Sequence, residues 1–130
     1  MREAPLVLLV DDEALILNLL EMAFVEAGYE VMLAGDGERA LQELETDASR
    51  FRGVVTDIRL GSGPNGWDIG RRARELSSQI AIVYLSGDSG HDWSSKGMPE
   101  SLMVAKPFAV AQVITALSGL LVQDDTRRTG

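Results

Sequence analysis

The sequence predicts a single α/β domain with a parallel sheet covered by helices on both faces. Its 130 residues are the length of one ordinary domain, and 45% hydrophobic with 25% charged residues is typical of a globular protein. Five apolar runs alternate with helical patterns along the chain. That alternation favours parallel strands joined by right-handed crossovers.

Five short apolar runs predict the strands. The first and fourth are apolar throughout, which is typical of strands buried on both faces of a sheet. The predicted strands are Leu6–Val10, Tyr29–Ala34, Phe51–Asp57, Ile80–Leu85 and Leu102–Ala105.

Helical spacing of apolar residues predicts the intervening helices. In the first helix, which Gly28 ends, the expected inner face is Ile16, Leu19, Leu20, Ala23 and Phe24. The later inner faces are Ala40, Leu41 and Leu44 in helix 38–45, then Ile69, Ala73 and Leu76 after Asn65-Gly66, then Val110, Val113, Ile114, Leu117 and Leu121 in helix 109–122. Residues 89–100 are polar and predict a loop with at most a turn or two of helix. The polar tail 123–130 is expected to be frayed.

Composition excludes several classes of function. The chain has no cysteine, so disulfides and thiolate chemistry are excluded, and His91 is the only histidine, so a multi-histidine metal site is excluded. A net charge of −8 argues against direct nucleic-acid binding. No apolar run approaches the roughly 20 residues of a membrane helix, and we see no secretory signal, so we expect a cytoplasmic protein.

Polar residues follow four of the predicted strands. In a parallel sheet the carboxyl ends of the strands share one edge, where ligands bind. Three carboxylates, one hydroxyl and one ammonium should therefore converge there: Asp11 and Asp12, Asp57, Ser86, and Lys106.

This group of side chains suits phosphoryl transfer. Three close carboxylates repel one another, and Mg²⁺, which prefers oxygen ligands, relieves that repulsion. Beside Mg²⁺ and Lys106, the Asp57 carboxylate is set up as a nucleophile toward phosphorus. Ser86 supplies a small donor for a phosphoryl oxygen.

Four motifs, in order and at matching spacing, resemble the receiver domain of bacterial two-component response regulators over residues 6–122. They are Leu-Val-Asp11-Asp12-Glu13, Val-Val-Thr-Asp57-Ile-Arg-Leu, Tyr-Leu-Ser86-Gly87 and Lys106-Pro107-Phe108. The resemblance implies a flavodoxin-like fold with strand order 2-1-3-4-5. It divides the chain into a receiver domain, 1–122, and a tail, 123–130.

The resemblance also implies a role for each site residue. Asp57 would take a phosphoryl group from a histidine kinase or a histidine phosphotransfer protein. Mg²⁺ (or Mn²⁺) would be bound by Asp12, Asp57 and the backbone carbonyl of Arg59, with Asp11 acting mostly through water. The phosphoryl group would be contacted by the switch segments, which contain Ser86, Gly87, Lys106 and Pro107, and the family holds the Lys–Pro bond cis.

The chain departs from the family pattern in several places. The loop after Asp57, residues 60–66, is one residue longer, and Met103 stands where the family usually has an aromatic switch residue. Segment 89–100 is short for a fourth helix, so that helix is expected to be weak or missing. Arg59 and Asp88 flank the site, and we hypothesise that they pair across the phosphoryl group and shield it from water.

Together these observations predict a stand-alone, single-domain response regulator, because no output domain follows the last helix. It would not be an enzyme, and it would signal by binding a protein partner or by onward phosphotransfer, as a monomer or weak homodimer. Three alternatives remain: a haloacid dehalogenase-type phosphohydrolase, a pseudo-receiver that binds without phosphorylation, and a flavin carrier. The phosphohydrolase would place an Asp-x-Asp nucleophile on the first strand, whereas here the candidate is on the third.

Overall fold

The computed structural model describes residues 4–87 and 92–129. The strands are β1 (Leu6–Val10), β2 (Glu30–Ala34), β3 (Phe51–Asp57), β4 (Ala81–Ser86) and β5 (Leu102–Ala105). The helices are α1 (Ala14–Glu26), α2 (Gly37–Asp47), α3 (Gly66–Leu76), α4 (Trp93–Lys96) and α5 (Val110–Thr129), with a 3₁₀ turn at Ala48–Arg50 that the sequence analysis did not predict.

The sheet has the order β2-β1-β3-β4-β5, and every neighbouring pair is parallel. This confirms the predicted flavodoxin-like fold. The register pairs Asp57 with Leu85 and Ser86 with Ala105. The carboxyl ends of β3, β4 and β5 therefore lie at one edge of the sheet.

Two apolar cores lie on opposite faces of the sheet, because successive strand residues point to opposite sides. One core packs α2 and α3 against alternate strand residues such as Leu8, Val54 and Tyr84. The other packs α1 and α5 against the intervening residues, such as Leu9 and Val55. Trp67 belongs to the first core, and Trp93 packs partly buried against it.

The predicted inner face of α1 was partly wrong. Leu17, Leu20 and Phe24 are the buried residues, whereas Leu19 is 56% exposed. The helix carries a second apolar stripe at Leu15, Leu19, Met22 and Val25, which faces solvent. Both stripes satisfy helical spacing, so periodicity alone could not select the buried one. Leu76 of α3 was likewise expected inside and is 37% exposed.

The ends of three helices follow from local sequence. Asn65 caps α3 in a reciprocal capping box with Asp68, as the Asn-Gly start predicted. The fourth helix is a single turn, Trp93–Lys96, as predicted. The predicted end of α5 at Val122 was wrong, because the helix continues to Thr129 and no Gly or Pro lies between Val122 and Gly130 to stop it. That the tail is frayed stays a prediction. Among the described residues, no helix combines the length and apolar composition needed to span a membrane.

Candidate functional site

Three predicted acids meet at the carboxyl edge of the sheet. Oxygen atoms of Asp11, Asp12 and Asp57 all lie within 4.8 Å of one another. Asp11 and Asp57 are buried, with 1% and 5% exposure, whereas Asp12 is exposed. The Asp11 carboxylate is oriented by the backbone N–H of Glu13, which donates to Oδ1 at 2.8 Å. The fold thus holds two buried carboxylates beside a third that faces solvent.

Lys106 points into this acidic cluster. Its Nζ donates to Oδ2 of Asp57 at 3.2 Å and to Oδ2 of Asp11 at 3.5 Å. It also lies 3.7 Å from Oε1 of Glu13. The lysine is held in place by the backbone, because its own N–H donates to the carbonyl of Ser86 at 2.7 Å. One ammonium therefore neutralises part of the charge of two buried acids.

The electrostatics of the site disfavour the charged form of Asp57. Burial, followed by the charge of Asp11, raises the pKa of Asp57 to about 6, even though Lys106 opposes the shift. Burial also raises the pKa of Asp11. For Lys106, burial acts to lower the pKa, but the charges of Asp57 and Asp11 outweigh it and raise the pKa. The site carries more negative charge than its own lysine can balance.

A cleft opens beside Asp57, and several other predicted residues line it. They are Asp12, Arg59, Ser86, Gly87 and Lys106. The Lys106–Pro107 peptide bond is cis. Met103, the departure from the aromatic switch, lies partly buried against the core that contains Tyr84. Asp88 and His91 fall outside the described residues, so the Arg59–Asp88 pair stays a prediction.

The sequence analysis missed three residues that shape the site. Glu13 lines the cleft and lies near Lys106. The buried Thr56 hydroxyl donates to the carbonyl of Asp57 at 2.8 Å. Gly66, at the start of α3, lies so close to the backbone of Asp57 and Ile58 that a Cβ atom there would collide with it. Glu13 and Thr56 stand inside the motifs quoted above, although those motifs did not indicate a role for either side chain, and Gly66 belongs to the Asn65-Gly66 pair that starts α3.

The family model named "Response regulator receiver domain" matches residues 7–118. The chain belongs to this family. It is 43% identical to a response regulator receiver protein from Sinorhizobium medicae WSM419. The two structures superpose with a TM-score of 0.90, and the aligned region covers 94% of this chain and 98% of the Sinorhizobium chain. A receiver domain protein from Clostridium thermocellum, at 22% identity and a TM-score of 0.83, shares the fold.

Curated relatives of this receiver domain are longer proteins. The transcriptional regulatory protein TrcR of Mycobacterium tuberculosis is 31% identical over 117 residues, which are 88% of this chain and 44% of TrcR. The autoinducer 1 sensor kinase/phosphatase LuxN of Vibrio campbellii is 34% identical over 88 residues, 68% of this chain and 10% of LuxN. The chain thus spans less than half of TrcR and a small part of LuxN.

The acidic cluster of this receiver domain has the chemistry of a magnesium site. Mg²⁺ takes hard oxygen ligands and is commonly held by one or two carboxylates, with water and phosphate oxygens completing its shell. Asp12 is exposed and reachable, and burial together with the charge of Asp11 raises the pKa of Asp57. These residues therefore fit the metal that receiver domains bind through an acidic pocket.

Proposed function

We propose that this receiver domain accepts a phosphoryl group on Asp57 from a histidine kinase or a histidine phosphotransfer protein, in a reaction that requires Mg²⁺ or Mn²⁺. The single observation that carries the proposal is the position of Asp57, which is buried within 4.8 Å of two other acids and 3.2 Å from the Lys106 ammonium. Such a carboxylate can act as a nucleophile once its charge is balanced.

The proposed reaction is a transfer between two nucleophiles. An Oδ atom of Asp57 forms a bond to phosphorus while the bond from phosphorus to the donor, a histidine nitrogen or a small acyl phosphate oxygen, breaks. Bound Mg²⁺ would neutralise charge on the phosphoryl oxygens. Asp12, Asp57 and the carbonyl of Arg59 would bind the ion, with Asp11 acting through water. Lys106, released in part from Asp57, and Ser86 would contact the phosphoryl oxygens.

An exposed apolar surface beside the site supports a protein as the phosphoryl donor. The solvent-facing stripe of α1 includes Leu19, and the same leucine lines a second groove with Ile16, Pro107 and Phe108 that reaches Lys106. Exposed apolar patches of this kind commonly mark protein interaction surfaces. We propose that a helix of the donor packs on this stripe and brings its phosphohistidine to Asp57.

The proposal includes the output expected from the sequence. A cytoplasmic regulator of this kind would signal by binding a protein partner or by passing the phosphoryl group on, and phosphorylation and dephosphorylation of Asp57 would be its only chemistry. Nothing in the described site favours a dehalogenase-type phosphohydrolase, because the candidate nucleophile lies on β3 while β1 ends in the adjacent acids Asp11 and Asp12.

Phosphorylation by a small donor tests the proposal directly. Incubation with Mg²⁺ and acetyl phosphate should add the mass of one phosphoryl group to the protein, and EDTA should prevent the gain. Asp57→Asn should abolish it. Asp36→Asn is the matched control, because Asn caps a helix as well as Asp and Asp36 lies outside the site. A wild-type protein that gains no mass would refute the phosphoacceptor role and favour a binding module that works without phosphorylation.

A further inference from the structure

Segment 92–101, which contains the one-turn helix α4, is joined to the core by a chain of hydrogen bonds. The Trp93 indole N–H donates to the Ser101 hydroxyl at 2.9 Å, and that hydroxyl donates to the carbonyl of Met98 at 2.5 Å. The backbone N–H of Met98 in turn donates to the hydroxyl of Tyr84 at 3.1 Å. At the surface, Arg74 also donates to the carbonyl of Pro99. Tyr84 is thus the fully buried end of this chain of hydrogen bonds.

Tyr84 is fixed in the core by close packing. Its side chain has 0% exposure, and its ring lies 4.8 Å from the ring of Trp67, centroid to centroid. Its hydroxyl lies against Gly70 of α3, where any Cβ atom would collide with it. A buried hydroxyl needs a hydrogen-bond partner, and the Met98 N–H supplies one. Tyr84 can therefore move only slightly without losing its bond to segment 92–101.

The same tyrosine lies close to the phosphorylation site along the sheet. It precedes Ser86 by two residues, so both side chains leave β4 on the same face. Its strand neighbours are Thr56, which precedes Asp57, and Met103, which precedes Lys106 by three residues. A shift of the end of β4 or β5 toward a phosphoryl group would therefore reach Tyr84 within two or three residues along either strand.

We propose that Tyr84 couples phosphorylation of Asp57 to the position of segment 92–101 through its hydrogen bond to Met98. The inference rests on the proposed function, because a phosphoryl group on Asp57 is the signal that it transmits. The structure shows the conformation in which this bond is made, and the proposal assigns that conformation to the unphosphorylated protein. When Ser86 and Lys106 turn toward the phosphoryl oxygens, the bond is broken and the Trp93 surface is released. Met103 cannot take this part, because its thioether offers no comparable hydrogen bond.

The direction of the effect follows from thermodynamic linkage. A bond that exists in only one of two conformations shifts the balance toward the other when it is removed. Tyr84→Phe keeps the ring and deletes only the hydroxyl. In the unphosphorylated variant, segment 92–101 should already adopt part of the arrangement that the wild type reaches on phosphorylation.

Two NMR signals report on the coupling: the backbone amide of Met98 and the indole N–H of Trp93, assigned with Trp93→Phe. Adding Mg²⁺ and acetyl phosphate to the wild type should shift both. In Tyr84→Phe both should start displaced toward the phosphorylated positions, and the remaining shift should be at least twofold smaller at equal phosphoryl content by mass. Tyr29→Phe is the matched control, since it deletes the other tyrosine hydroxyl, which contacts Ser118 on the opposite face.

A second variant keeps the test decisive if Tyr84→Phe does not fold. Ser101→Ala cuts the chain between Met98 and Trp93, so the Met98 amide should still respond to phosphorylation while the indole signal does not. A mass gain with neither signal moving in the wild type would overturn the coupling and leave the phosphoacceptor role intact. A full wild-type response in Tyr84→Phe would also overturn it. Absence of any mass gain would refute the phosphoacceptor role, and the coupling with it.

Discussion

Replacing Asp57 with Asn should stabilise the metal-free protein at neutral pH. The native site raises the pKa of Asp57 from 3.8 to about 6, chiefly by burial and by the charge of Asp11. A difference of roughly two units, at about 1.4 kcal/mol each, corresponds to about 3 kcal/mol of native-state destabilisation when the carboxylate is ionised. Asn removes that charge at nearly the same volume.

The pH dependence has a definite sign. The native carboxyl binds its proton more tightly than the unfolded one, so the native state is favoured at low pH. Stability then falls as pH rises above 3.8 and through about 6. The destabilisation is fully present above pH 6. Asp57→Asn also weakens the hydrogen bond from the Lys106 Nζ atom to position 57, although Lys106 still reaches Oδ2 of Asp11 at 3.5 Å. We therefore expect a net gain of about 2 kcal/mol in the free energy of unfolding at pH 7.5.

Urea unfolding in EDTA, followed by tryptophan fluorescence between pH 4 and pH 8, measures this difference. Comparing wild type and variant at each pH cancels the titration of groups that do not interact with Asp57. The advantage of Asp57→Asn should shrink toward zero at pH 4, and Asp36→Asn should show no such trend. Equal stability of wild type and Asp57→Asn at pH 7.5, or an advantage that does not depend on pH, would refute the electrostatic argument. Adding Mg²⁺ should stabilise the wild type more than Asp57→Asn, since ligand binding stabilises the native state.

Three further substitutions test other parts of the structure. Leu19→Gln, on the exposed stripe of α1, should slow phosphotransfer from a protein donor at least tenfold and leave acetyl phosphate labelling unchanged, whereas Leu76→Gln, an exposed leucine of α3, should change neither rate. Gly66→Ala should lower the free energy of unfolding by roughly 2 kcal/mol or more in urea titrations, because the new Cβ would collide with the backbone of Asp57. Gly119→Ala on α5 is the control, because its Cβ would meet nothing, and it should raise the free energy of unfolding by up to about 1 kcal/mol. Lys106→Met leaves two buried carboxylates without their cation, so it should destabilise the protein by about 3 kcal/mol in EDTA, and calorimetry with added Mg²⁺ should show a larger stabilisation than in the wild type.

The parts of the site that could be predicted from sequence are those placed by the parallel sheet. Once β1, β3 and β5 are recognised, their carboxyl ends must share one edge, and Asp11, Asp57 and Lys106 meet there regardless of loop details. The distances between them are set by register and side-chain packing, which the sequence does not display. Glu13 and Thr56 contribute through single contacts of that kind, and the motifs that contain them do not indicate which contacts their side chains make.

The inner face of α1 could not be predicted for a different reason. Helical spacing identifies a buried stripe only when the opposite face is polar. In α1 both Leu17 and Leu19 belong to apolar stripes, and the choice between them depends on where α5 and the sheet lie. Leu19, the α1 residue that periodicity wrongly placed inside, is also part of the surface proposed to bind the phosphoryl donor.

Segment 92–103 departs most from the family pattern, and its contacts connect several of the departures. The family usually has an aromatic switch residue on β5 at the position of Met103. Here the aromatic residue is Tyr84, on the neighbouring strand β4, and it pairs with Met103. The aromatic ring on β4 places its hydroxyl under segment 92–101. Two glycines leave room for this arrangement, because a Cβ atom at Gly70 would collide with the Tyr84 hydroxyl and a Cβ atom at Gly97 would collide with the Trp93 ring. A one-turn α4 leaves the Met98 N–H outside any helix and so available to that hydroxyl. The short helix and the two glycines thus allow the Tyr84 hydroxyl to reach the Met98 N–H beneath the Trp93 ring.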